Sequence, residues 1–243
     1  DAIAGATNSA SAKFASKICV SFESTLAQFN PEKTILTGNP IRSELLEDLL
    51  MQRNAKESLG FDSAQPLALI LGGSQGSERL NSFILLNLEA ILKETQVLHQ
   101  TGNKNYEAIG KLSQALTFDI SRYKITPFLE KELKAALTAA DLVVSRAGSG
   151  VIFEAAAFGK PMVLIPLKES ASDHQRVNAY EAVKRGAAVV IEEQNLLPAI
   201  FLKELNGILG NPEVREKMAS ASRAFLKPGA AEAIAKEVLL LVA

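Results

Sequence analysis

Three loops and one arginine carry the residues whose types and spacing could do chemistry. The run Leu71-Gly72-Gly73-Ser74-Gln75-Gly76-Ser77 sets three glycines around Ser74 and Gln75. Glycine lets backbone N–H groups come close to an anion, and a helix opening after such a loop aims its free N–H groups and positive dipole end the same way. Ser74 and Gln75 add side-chain donors. The loop has neither the spaced glycines of a dinucleotide fingerprint nor the lysine of a P-loop, which weighs against NAD and ATP. Taken alone, Gly72-Gly73 serves equally as a tight turn between a strand and a helix.

The second loop is Ser145-Arg146-Ala147-Gly148-Ser149-Gly150-Val151-Ile152-Phe153-Glu154. Gly148, Ser149 and Gly150 again offer small residues and backbone donors for a phosphate. Glu154 falls in the first turns of the following helix, where any carboxylate is favoured by the dipole. Beside an anion loop it also suits a ribose, because one carboxylate accepts hydrogen bonds from two vicinal hydroxyls. The third loop, 166–178, holds Asp173, His174, Gln175, Arg176 and Asn178. Gln and Asn pair donors with acceptors, as sugar hydroxyls require. Arg42, just after Asn39-Pro40, could meet a diphosphate held between two domains or simply be a solvated arginine at a helix start. With two histidines and one cysteine in the chain, no metal site is expected.

The elements that must position these loops are legible as a pattern. From Pro66 onward, strand-like runs at Leu67–Leu71, Gln96–His99, Tyr123–Thr126, Asp141–Ser145, Met162–Ile165 and Ala188–Ile191 alternate with helix-period segments. The helical segments are Glu78–Lys93, Tyr106–Leu116, Glu130–Ala139, Val151–Phe158 and Gln175–Arg185. Such alternation predicts an α/β domain with a doubly wound parallel sheet and right-handed crossovers. Two more strands, Lys17–Phe22 and Lys33–Leu36, precede it. Gly38-Asn39-Pro40 punctuates the chain, and Ser43–Leu59 reads as one charged amphipathic helix. Helices at Leu197–Leu209 and Glu213–Phe225 follow the sheet, and Lys227-Pro228-Gly229 sets off a last helix, Ala230–Leu241. The expected division is therefore 1–40, 41–226 and 227–243. Asp1 stands where a Met would begin a chain, and the first residues read as the middle of a domain, so a fragment is expected.

Composition limits the function classes. With 26 Lys and Arg against 27 Asp and Glu, there is no cationic excess for a nucleic-acid partner. No apolar run approaches the roughly 20 residues that span a bilayer. Cys19 is the single cysteine, which rules out an intramolecular disulfide, fits a reducing compartment and reads as a small core residue. A soluble cytoplasmic protein is expected.

Taken together, the segments AIAGATN (2–8), GNPIR (38–42), LGGSQGSERLN (71–81), HQTG (99–102), ADLVVSRAGSGVIFE (140–154), FGKPMVLIP (158–166) and DHQRVNAYEAVKRGAA (173–188) resemble the MurG family of bacterial glycosyltransferases, in that family's order and over nearly the whole chain. The resemblance implies a GT-B fold, two Rossmann-like domains with the active site between them. It implies transfer of N-acetylglucosamine, with inversion, from UDP-N-acetylglucosamine to an undecaprenyl-linked muramoyl-peptide, in peptidoglycan synthesis. Residues 1–40 would be the tail of the acceptor domain, 41–226 the donor domain, and 227–243 a helix returning toward the acceptor side.

By the same resemblance, Ser74, Gln75, the helix start Ser149, Gly150, Val151, Ile152 and Phe153, and Arg42 would meet the donor. Glu154 would hold the ribose, Gln175 the sugar hydroxyls, and the backbone of Thr126–Leu129, ending at Leu129, the uracil. Asp1 stands where the family usually has Asn after His-Glu-Gln, and belongs with the donor-site residues on that ground. The family's glycine-rich loop ending in Gly-His has no counterpart here, so the general base is expected outside these residues. No cofactor is implied, and the parent enzyme would sit peripherally on the cytoplasmic face of the membrane. Other readings are a GT-B glycolipid transferase, a UDP-N-acetylglucosamine epimerase, or a non-catalytic UDP-sugar-binding subunit.

Overall fold

The computed structural model describes residues 1–47, 50–73, 75–168, 170 and 173–242. The N-terminal piece contains α1 (Ala6–Ser11), β1 (Ile18–Val20) and β2 (Thr34–Leu36), with β1 and β2 paired in parallel as a two-stranded sheet. After α2 (Gln52–Ser58) the chain alternates: β3 (Leu67–Leu71), α3 (Glu78–Leu86), α4 (Leu88–Glu94), β4 (Gln96–Gln100), α5 (Tyr106–Gln114) and β5 (Tyr123–Thr126). It continues through α6 (Leu133–Ala139), β6 (Leu142–Ser145), α7 (Ser149–Ala157), β7 (Met162–Leu164), α8 (His174–Lys184) and β8 (Ala188–Val190). Three helices close it: α9 (Pro198–Leu209), α10 (Pro212–Phe225) and α11 (Ala230–Leu240).

The large sheet is wholly parallel, in the order β5-β4-β3-β6-β7-β8. From β3 the chain winds outward to β5, then returns to the other side of β3 as β6. The strand order thus reverses between β3 and β6, where loops leaving the two carboxyl ends diverge and open a crevice. Both faces are covered, which is why the strands read as continuous apolar runs. Leu67, Leu69 and Leu71 pack with Leu133, Ile152 and Ala179 on one face. Ala68 and Ile70 pack with Leu80, Ile84, Leu88 and Phe201 on the other.

Three expectations need correcting. Ser43–Leu59 is not one helix: a short 3-10 turn, Ser43–Leu45, and α2 are separated by Met51 in extended backbone (φ −63, ψ 143). That bend brings both Leu45 and Ala55 into the same core. Part of the predicted helix, Asp48 and Leu49, lies outside the described residues. The helix expected over Glu78–Lys93 breaks at Asn87, whose backbone leaves helical geometry while its Nδ2 donates to the Phe83 carbonyl at 2.7 Å. Cys19 is exposed rather than core, on the two-stranded sheet.

A small third core joins the N-terminal piece to the large sheet. Phe22 sits edge-on to Phe153 of α7, with centroids 5.0 Å apart, and Phe225 at the end of α10 packs against both. The last helix lies beside the N-terminal piece, with Lys17 and Glu237 3.9 Å apart and Lys227 Nζ donating to the Leu36 carbonyl.

Candidate functional site

Leu71 and Ser145 are register partners in β3 and β6, so the two glycine loops start side by side at the point where the strand order reverses. They form the floor of an open cleft of about 860 Å³, which Arg42, Leu129 and Gln175 also line.

The first loop is shaped by its glycines. Gly73 (φ +83) and Gly76 (φ +79) adopt left-handed backbone, and the Gly76 N–H closes a turn on the Gly73 carbonyl at 3.1 Å. A Cβ on Gly76 would lie 2.2 Å from the Thr101 carbonyl oxygen, so the loop presses directly on the strand-end segment after β4. Ser77 caps α3, its Oγ accepting from the Leu80 N–H at 3.4 Å. Gln75 is exposed at the mouth, its Oε1 accepting from Lys104 Nζ at 3.4 Å. Ser74 lies outside the described residues.

The second loop opens α7 with no side-chain cap. Its first helical bond runs from the Ile152 N–H to the Gly148 carbonyl at 3.3 Å, leaving the N–H groups of Ser149, Gly150 and Val151 outside the helical ladder. These donors, at the positive end of the dipole, are of the kind that binds an anion without a cation. Val151 and Glu154, three apart, share the helix face that lines the cleft. Ile152 and Phe153 do not: their side chains are buried, Ile152 in the main core and Phe153 in the aromatic cluster at the junction. Any contact of these two residues with a ligand in the cleft would therefore be through the main chain.

Glu154 Oε1 lies 3.4 Å from Arg42 Nη2 across the cleft. Burial raises the Glu154 pKa above the usual carboxylate value, and the Arg42 charge pulls it partly back. Gln175 Oε1 accepts from the Leu167 N–H at 3.0 Å, pinning the loop after β7 toward the cleft. Asp1 stands apart. Its Oδ1 accepts from Asn178 Nδ2 at 2.9 Å, and it lines a separate cavity of about 290 Å³ on the N-terminal piece.

Several residues of the cleft were not singled out from sequence. Gln100 ties two parts together: its Nε2 donates to the Gly73 carbonyl at 3.1 Å and its Oε1 accepts from the Leu129 N–H at 3.0 Å. Leu129 is itself buried, so its N–H is committed to Gln100, and exposed Phe128 beside it presents the ring to the cleft. Arg146 bonds Ser77, the Ile165 carbonyl and Glu193. Beneath the floor, Asn81 Nδ2 donates to the Thr101 carbonyl at 2.8 Å, which leaves its Oδ1 to accept from His99 Nε2 at 3.0 Å. His99 Nδ1 then accepts from the Tyr123 hydroxyl at 2.9 Å. Burial holds this neutral histidine down at a pKa of about 3. A polar residue at the strand end (Gln100) and an arginine opening a glycine loop (Arg146) were the available signals for two of these. Glu193, 47 residues from Arg146, gave none.

A doubly wound parallel sheet with two glycine loops at its switch point, joined to a second small parallel sheet, is the donor-side architecture of GT-B glycosyltransferases. The chain belongs to glycosyltransferase family 28: residues 67–236 match the family's C-terminal domain. It is 35% identical over 235 residues to the UDP-N-acetylglucosamine--N-acetylmuramyl-(pentapeptide) pyrophosphoryl-undecaprenol N-acetylglucosamine transferase of Thermodesulfovibrio yellowstonii, covering 96% of this chain and 63% of that one. The enzyme of that name from Bacteroides fragilis is 35% identical over 243 residues, covering 98% of this chain and 62% of that one. Among solved structures, Acinetobacter baumannii MurG superposes with a TM-score of 0.74 at 26% identity, over 98% of this chain and 64% of that one. A UDP-GlcNAc 2-epimerase from Neisseria meningitidis, at a TM-score of 0.63 and 18% identity over 89% of this chain and 57% of that one, shares the fold alone. The chain thus spans a little under two thirds of the length of its curated relatives.

Proposed function

We propose that this chain is the donor-binding part of an enzyme that moves N-acetylglucosamine from UDP-N-acetylglucosamine to an undecaprenyl-pyrophosphoryl N-acetylmuramyl-peptide. On this reading residues 1–40 belong to the acceptor domain, 41–226 bind the donor, and 227–243 return to the acceptor side. The observation that carries it is the convergence of two glycine-loop helix starts, that of α7 without a side-chain cap, and of Arg42 and Glu154 facing each other, on one cleft.

The chemistry follows from those groups. The diphosphate takes the N–H groups that open α3 and α7, and Arg42 adds charge from the opposite wall. Glu154 accepts from the ribose hydroxyls, and Gln175 from or to the sugar. The acceptor hydroxyl attacks the anomeric carbon as the bond to the β-phosphate oxygen breaks, inverting the centre. The negative charge that grows on departing UDP is met by fixed dipoles and Arg42, which need no reorganisation in the transition state. The base that takes the acceptor proton is assigned to the part of such enzymes these residues do not represent. On this reading the enzyme works peripherally at the cytoplasmic membrane face, where it would meet its lipid-linked acceptor.

The test is to assay the protein, together with whatever chain precedes Asp1 in its reading frame, with labelled UDP-N-acetylglucosamine and the lipid-linked muramyl-pentapeptide. Label appearing in the lipid product, with one UDP released per sugar, is expected. UDP release with an epimerised free sugar and no need for acceptor would instead establish an epimerase. Binding without turnover would leave a non-catalytic subunit.

A further inference from the structure

Arg146 is held from two sides at the edge of the cleft. Its Nη2 donates to Glu193 Oε1 at 2.5 Å and to Ser77 Oγ at 2.8 Å, its Nε reaches the same Ser77 Oγ at 3.2 Å, and its Nη1 donates to the Ile165 carbonyl at 3.2 Å. Glu193 is buried and is gripped again by Arg79, which donates to its backbone carbonyl at 2.7 Å. Ser77, Arg146 and Glu193 all line the cleft. Glu193 enters it from the turn after β8, remote in sequence from both glycine loops.

A hydroxyl has two lone pairs and one proton. The lone pairs of Ser77 Oγ already face the Arg146 guanidinium and, more weakly, the Leu80 N–H. The hydroxyl proton is therefore forced to point elsewhere, and the side open to it is the cleft. An arginine feeding the oxygen also polarises the O–H bond, making it a stronger donor. Serine at this position thus offers what the backbone amides cannot: a side-chain proton fixed toward an anionic oxygen.

We infer that Ser77 is a further ligand of the donor diphosphate, with its hydroxyl locked as a donor by Arg146, and that Glu193 is the positioning residue that holds Arg146 there. The inference rests on the UDP-sugar reading and adds a ligand and its support to it. Glu193 acts only through Ser77, so the two must be energetically coupled.

The experiment is calorimetric titration of UDP and of uridine, which lacks the diphosphate, into the wild type, Ser77→Ala, Glu193→Gln and the double variant. Ser77→Ala should weaken UDP about 10-fold, the loss of one hydrogen bond to a charged group, and leave uridine within about twofold. Ser77→Gly, which retains a tolerated helix cap, should match it. Glu193→Gln should weaken UDP in the wild-type background and have no effect once Ser77 is Ala. Equal losses for UDP and uridine, or a Glu193→Gln effect that persists undiminished in the double variant, overturn the inference. A wild type that binds UDP no more tightly than Ser77→Ala sinks the inference alone. A wild type that binds neither nucleotide removes the donor-site reading as well.

Discussion

Arg42 Nη2 and Glu154 Oε1 lie 3.4 Å apart, although 112 residues of sequence separate them. One comes from the segment entering the large domain and the other from α7, so the pair spans the cleft proposed for the nucleotide. A bound diphosphate and ribose would take one partner each, and the pair would open.

On the proposed reading, that pair should make nucleotide binding pH-dependent. Burial raises the pKa of Glu154 and Arg42 opposes the rise, so removing Arg42 pushes it higher. The ribose grip uses the carboxylate. UDP affinity should therefore be flat above the Glu154 pKa and fall as pH drops through it. In Arg42→Ala the fall should begin at a higher pH. Calorimetry from pH 4.5 to 8 checks this, and acid limbs that superimpose would show that Glu154 is not the titrating group.

The glycines of the first loop are not interchangeable. Alanine at Gly76 would place its Cβ 2.2 Å from the Thr101 carbonyl oxygen, at φ +79. Alanine at Gly73 meets nothing within 4 Å and carries only the left-handed strain at φ +83, about 1–2 kcal/mol. Gly76→Ala should displace the loop and weaken UDP at least about 10-fold, whereas Gly73→Ala should lower stability with a smaller effect on affinity. Comparing melting temperature with UDP affinity for both variants separates the two costs.

His99 should limit stability in acid. Its folded pKa of about 3 lies below the unfolded value near 6.5, so between those values the unfolded chain binds the proton. Stability from this group is complete above about pH 6.5 and is lost as pH falls, by up to about 1.4 kcal/mol per pH unit. His99→Gln should show lower stability at pH 7 but a shallower decline toward pH 4 in urea titrations. Parallel declines for wild type and variant would contradict the buried neutral histidine.

At the opposite end of the sheet, Asp141 Oδ2 accepts from Lys56 Nζ at 2.7 Å and from the Leu67 N–H at 2.9 Å, with both side chains largely buried. Asp141→Ala leaves the Lys56 charge uncompensated and should cost about 3–5 kcal/mol in chemical denaturation. Adding Lys56→Met should recover much of that loss. UDP affinity should stay unchanged in any variant that folds, because this pair lies under the amino ends of β3 and β6, away from the cleft. A loss of affinity matching the loss of stability would place the pair in the binding machinery.

The sheet was legible because burial on both faces imposes apolar runs of strand length, and these need no partner to be recognised. The loops were legible too, since left-handed backbone at Gly73 and Gly76 and the open helix start at Gly148 are local demands written as local residue choices. Helical spacing even held a clue that separates Val151 and Glu154, three apart on one face, from Ile152 and Phe153, which turn toward the cores. The breaks at Met51 and Asn87 were not legible, because an amphipathic pattern runs through each.

Sequence alone determined that this chain is an α/β domain with two anion-type loops and a carboxylate beside one of them, because each of those features is set within about a dozen residues. Only the tertiary structure decided that β3 and β6 are neighbours, that Gln100 spans from Gly73 to Leu129, and that Glu193 reaches Arg146. Strand order and the meeting of distant side chains depend on how the crossovers wind and which surfaces bury together, and no local run of residues records either.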